Sequence, residues 1–201
     1  HYGPGLPVVG QYNGLLDNNG EQLVIQDSSG NVILNFTYND GSEWPSGSDG
    51  EGYSLVSRDS DLSDALSWRD SDERMGNPGE SDNTRFSGLP STDEDRDGVE
   101  ALLEYATGGD DRSPGDDLAT PVLSISRDGR LEIMISLNLS AFDIDISLEQ
   151  TSDLVTWEPL VGFERIAIIR NQAKGTARVV YRATTPQESS TKFLRLRATL
   201  R

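Results

Sequence analysis

Residues 130–153 read RLEIMISLNLSAFDIDISLEQTSD, and their apolar side chains return at every second position: Leu131, Ile133, Ile135 and Leu137, then Ile144, Ile146 and Leu148. A period of two is the signature of a strand with one buried face. The same alternation runs outward in both directions: PVLSIS at 121–126, TWEPL at 156–160, ERIAII at 164–169, TARVVYRA at 176–183 and KFLRLRATL at 192–200. Turn formers such as Arg127-Asp128-Gly129 separate the runs. Seven short strands with turns between them predict a β-sandwich over residues 118–201. In the last strand the alternation assigns Leu194 and Leu196 to the buried face, or Phe193 and Ala198 if the register slips.

The charge changes character where this module begins. The 201 residues carry 34 Asp plus Glu against 17 Lys plus Arg, a formal charge of −17. Residues 1–117 hold 25 acidic and 6 basic side chains, net −19, and residues 118–201 hold 9 and 11, net +2, which together restore −17. So acidic a chain repels polyanions, which excludes nucleic acid as a partner. It has no run of 18 apolar residues, so no membrane span is expected. The organisation expected is a first module at 1–83, a linker at 84–117 and the strand-rich module at 118–201.

Within the first module, QLVIQDSSGNVILNFTY at 22–38 sets apolar runs on either side of Asp27, Ser28, Ser29 and Gly30, which predicts a hairpin. A Gly- and Pro-rich loop follows, then a short strand at Tyr53 to Val56. Asp61 to Trp68 is expected to make one helical turn.

The motif with the most chemical content lies in the acidic linker. Asp93-Glu94-Asp95-Arg96-Asp97-Gly98, five further residues and Glu104 match a twelve-residue calcium loop. Asp93, Asp95 and Asp97 would supply carboxylate oxygens, Val99 its backbone carbonyl and Glu104 a bidentate carboxylate, while Gly98 permits the sharp turn. Hard oxygen donors suit Ca²⁺. Ala101 at the ninth position leaves a place for water. An exposed acidic linker would not, by chance, put glycine sixth, glutamate twelfth and an apolar stripe just beyond. That stripe, Val99, Leu102, Leu103 and Ala106, predicts a helix over Val99 to Thr107, stopped by Gly108 and Gly109. Pro90 precedes the loop, so no partner helix is expected before it, and a single extracellular-type loop is the better comparison. Asp110, Asp111, Asp116 and Asp117 are near enough in sequence to extend such a site.

Three phrases in the first module occur in the order seen in bacterial lamin-tail domains. They are Leu16, Asn18, Gly20, Glu21, Leu23 and Asp27; then Tyr38, Asp40, Trp44, Pro45, Asp49, Gly50, Gly52, Ser54 and Leu55; then Trp68, Gly76, Pro78 and Gly79. Residues 1–83 thus resemble the later half of that domain, and the resemblance implies an immunoglobulin-like sandwich whose opening strands have no counterpart here. A fragment of a longer protein is therefore expected, with open strand edges that pair with its upstream part or with another copy. The loop at 93–104 resembles dockerin and thrombospondin type 3 calcium loops. Residues 93–201, through LLEYA at 102–106, SLEQTSDLVTWEPL at 147–160 and the closing FLRLR, resemble the C-terminal region of large secreted proteins of Verrucomicrobia and Planctomycetes.

The chemistry the sequence lacks narrows the function. It has no cysteine and one histidine, His1, so cysteine dyads, serine–histidine triads and thiolate or multi-histidine metal sites are excluded. The expectation is a mainly β, non-catalytic, calcium-stabilised extracellular region: two immunoglobulin- or fibronectin-like sandwiches joined by one calcium loop and a short helix, serving in structure, adhesion or anchoring. Two alternatives stand beside it. A carbohydrate-binding accessory region of a polysaccharide-degrading enzyme would use Trp44, in its Gly/Pro loop, against a surface polysaccharide. A glycoside hydrolase would use a facing carboxylate pair. Trp68 and Trp157 are expected in cores.

Overall fold

A computed structural model describes residues 5–6, 10, 12–115, 118–186 and 192–201. The protein is mainly β, with several antiparallel sheets and, among the described residues, one α-helix. The backbone divides into two compact units, His1–Asn83 and Thr84–Arg201.

In the first unit, β1 (Gln22–Gln26) and β2 (Val32–Thr37) form the expected hairpin. Its turn is held by Asp27, whose carboxylate accepts from the Ser29 and Asn31 amides at 2.8 and 2.9 Å and from Asn31 Nδ2 at 2.8 Å. These bonds favour the ionised carboxylate and hold the Asp27 pKa below its ordinary value. Two further strands pair antiparallel: β3 (Leu55–Ser57) and β4 (Trp68–Asp70). The strand expected at Tyr53 begins two residues later. Just before β4, residues Ala65–Ser67 make one 3₁₀ turn, capped by the Asp64 carboxylate on the Leu66 amide.

Two buried side chains organise this unit. Trp68, 6% exposed, stacks on Phe36 at 4.9 Å and on Trp44 at 6.2 Å, and its indole N–H donates to Leu62 O at 3.0 Å. Arg69, 3% exposed, donates to the Asp70 and Asp82 carbonyls and, at 2.9 Å, to Asp72 Oδ1. A buried guanidinium is tolerable only with such partners.

The second unit contains all seven expected runs as strands: β5 (Val122–Ile125), β6 (Leu131–Asn138), β7 (Ile144–Thr151), β8 (Glu158–Pro159), β9 (Phe163–Asn171), β10 (Thr176–Ala183) and β11 (Phe193–Leu200). They form two antiparallel sheets, ordered β5-β6-β10-β9 and β11-β7-β8. Alternation is realised as burial: Ile133, Ile135 and Leu137 of β6, Ala177 and Val179 of β10, and Ile168 of β9 are all buried. In β11 the register pairs Leu196 with Leu148 and buries Leu196, while Phe193 stays 42% exposed.

The helix α1 (Ala101–Thr107) starts two residues later than its apolar stripe suggests, because Glu100 is extended and acts as the N-cap. Leu102 and Ala106 pack against Ala141 and Ile144, with Phe86, Tyr105, Ile146 and Ala198 around them. The segment leading to the helix is bonded to the connection between β6 and β7. Thr84 N donates to Ser140 O, Phe86 N to Asp143 Oδ2, and Tyr105 Oη lies 3.1 Å from Asp143 Oδ1. Residues from Thr84 onward are thus built into this unit by both an apolar contact and a hydrogen-bond network.

Candidate metal centre

The loop before α1 is shaped by two residues with positive φ, Arg96 at 64° and Gly98 at 95°. This backbone turns the chain tightly enough for its own amides to reach the aspartates. Gly98 N donates to Asp93 Oδ2 at 3.2 Å, Asp97 N to Asp95 Oδ1 at 3.1 Å, and Val99 N to Asp97 Oδ1 at 2.9 Å. Outside the loop, Ala101 N donates to Thr92 O at 2.8 Å and Leu102 N to Pro90 O at 3.1 Å. Entry and exit are therefore tied together at the first turn of the helix.

These bonds leave one oxygen each of Asp93 and Asp95 turned inward. Asp93, Asp95 and Asp97 each bring a carboxylate oxygen within 4.8 Å of the others. Asp93 Oδ1 and Asp95 Oδ2 are shielded from solvent and accept no hydrogen bond. Desolvation raises the Asp95 pKa, and repulsion from Asp97, Asp93 and Asp111 adds to it, against the lowering effect of the Asp97 amide. Three clustered carboxylates, two of them with a shielded, unbonded oxygen, are a donor set that fits a hard divalent cation.

The other residues named from sequence stand nearby in the chain but differ in role. Glu104 lies in the first turn of α1, is 1% exposed and has both carboxylate oxygens shielded, yet it is outside the close set of three. Val99 is half-buried and presents its amide to Asp97. Sequence reasoning gave no definite role to Asp111, whose Oδ1 accepts from Glu94 N at 3.0 Å and whose charge reaches Asp95. Gly115 N donates to Asp97 Oδ2 at 3.4 Å, and Arg112 pairs with Glu94 at 3.0 Å. The segment after α1 thus folds back on the loop, a contact that adjacent acidic residues alone do not reveal. Asp116, Asp117 and His1 lie outside the described residues.

Trp44 is half-buried, with one side of its ring system stacked towards Trp68. Trp157 carries the Arg195 guanidinium 4.1 Å from its ring centroid, and Arg195 in turn pairs with Glu149 at 2.6 Å. None of the described helices is long and apolar enough to cross a membrane. Comparison of the chain with protein-family models, with curated proteins and with solved structures finds no match to any of them.

Proposed function

We propose that residues 93–104 bind one Ca²⁺ and that the chain is a non-catalytic, calcium-stabilised structural or anchoring region of a larger secreted protein. The observation that carries this reading is the pair of shielded, unbonded oxygens, Asp93 Oδ1 and Asp95 Oδ2, in a loop whose amides already satisfy the opposite oxygens. Asp93, Asp95 and Asp97 would hold the ion, with Glu104 and the Val99 carbonyl as the remaining protein donors. Bound calcium would supply charge neutralisation: it offsets the mutual repulsion of the three carboxylates and the cost of shielding them from water. Because the loop runs directly into α1, whose Leu102 and Ala106 are core residues, that neutralisation is coupled to the stability of the whole second unit.

The same reading takes the sheets β5-β6-β10-β9 and β11-β7-β8 as the two layers of an immunoglobulin-like sandwich, a division like the four-and-three split of that fold. It takes residues 1–83 as the later half of a lamin-tail-like domain. Single extracellular loops hold calcium with dissociation constants of about 10⁻⁴ to 10⁻³ M, which suits a calcium-rich medium. The test is calorimetric Ca²⁺ titration of the whole chain and of Asp95→Ala, paired with thermal melts. Saturable heat and a raised Tm in the parent, both lost in Asp95→Ala, are expected. No heat and no shift in the parent would end the metal assignment.

A further inference from the structure

The first unit leaves its strands with little cover. Among the described residues the sheets β1-β2 and β3-β4 are each two-stranded, so every strand in them is an edge there. An isolated two-stranded ribbon is marginal in water. The register pairs Leu23 with Phe36 and Ile25 with Leu34, so these four side chains form one apolar stripe along a single hairpin face. Its inner end is covered by the Phe36–Trp68 stack, and its outer end is open, with Ile25 52% exposed. On the opposite face Val24 is 46% exposed.

Beside the inner end lies a groove of about 470 Å³ between the hairpin and the β3–β4 pair. Its wall is apolar and aromatic, with Leu23, Phe36, Tyr53 and Trp68 among its residues, and three carboxylates, Asp17, Asp40 and Asp49, line it as well. Among the described residues, no lysine or arginine lines it. Residues 1–83 as a whole carry 15 acidic and 3 basic side chains, net −12.

We propose that this groove and the adjoining hairpin edge take an extended strand of another polypeptide, one that alternates apolar and basic side chains. Free edge N–H and C=O groups select an extended backbone. The period of two then sends one set of side chains into the aromatic wall and leaves the other set at the carboxylates. The charge argues against a second copy as the occupant, since it would bring its own net −12 first unit up to the Asp17, Asp40 and Asp49 carboxylates. This proposal involves no residue of the loop at 93–104, so it stands or falls separately from the calcium reading.

The experiment uses the full chain and end-blocked nine-residue peptides as probes: alternating valine–lysine, the same peptide N-methylated at alternate residues, and alternating valine–glutamate. Calorimetry and amide chemical shifts give affinity and location. Expected are saturable binding of the valine–lysine peptide, shifts confined to residues 16–55 and 68–70, and no binding of the valine–glutamate peptide. N-methylation should weaken binding at least about tenfold, since it removes the strand's donors. The Asp40→Asn, Asp49→Asn double variant should weaken it by a similar factor; both side chains are exposed, so a thermal melt matching the parent will show that the fold is kept. Absence of binding, equal binding of the N-methylated peptide, or shifts spread over the whole acidic surface would overturn the proposal. So would self-association of the unliganded chain abolished by Leu23→Asp, which would give the groove to a second copy.

Discussion

Gly108 shows how much a single position can carry. It caps α1 at φ 89°, its amide donates to Glu104 O at 2.8 Å, and a Cβ placed there would lie 2.6 Å from Thr176 Cγ2. Left-handed backbone costs a side chain about 1–2 kcal/mol, and the clash with a β-branched neighbour adds to that. Gly108→Ala is therefore expected to destabilise the second unit by at least about 1–2 kcal/mol, read by urea unfolding. Glu149 is a second such position. Its carboxylate is held below the ordinary glutamate pKa by the Arg195 hydrogen bond, by the charge of Arg195 and by Arg197, against some desolvation. A depressed folded pKa gives stability that is fully present above the unfolded value and lost as pH falls through the folded one. Acid titration should show Glu149→Gln already less stable at neutral pH, with a flatter loss of stability than the parent below about pH 4.5. Equal slopes in the two proteins would remove the linkage.

At the scale of elements, α1 is too short to be stable alone and persists because of what it packs against. Leu102, 8% exposed, sits in the cluster with Ala106, Ala141 and Ile144. Leu102→Ala should cost about 2–4 kcal/mol. If calcium binding is coupled to this packing, the same substitution will also weaken Ca²⁺ affinity in calorimetry; an unchanged affinity would uncouple loop from helix. The loop and helix were legible from residue types and spacing, because glycine, carboxylates and a 3.6-residue stripe carry local information. The two-residue delay in the helix start was not, since it depends on Glu100 remaining extended while its carbonyl accepts from Leu103 and Glu104.

For the whole molecule, calcium is expected to slow amide exchange in residues 84–201, above all in α1 and the segment at 110–115 that folds back on the loop. Hydrogen exchange with and without excess chelator checks this; protection gained only in residues 1–83 would contradict it. The sequence by itself determined the seven strands described in the second unit, the β1–β2 hairpin and its Asp27 turn, and the grouping of Asp93, Asp95 and Asp97. These follow from periods of two, turn chemistry and short spacing, all of them local. Tertiary structure decided the rest: the sheet orders, the anchoring of residues 84–107 through Asp143 and Ala141, the Trp44–Trp68–Phe36 stack and the return of Asp111 to the loop. Those depend on which buried surfaces and unsatisfied polar groups meet across long separations, and no local pattern encodes such pairings.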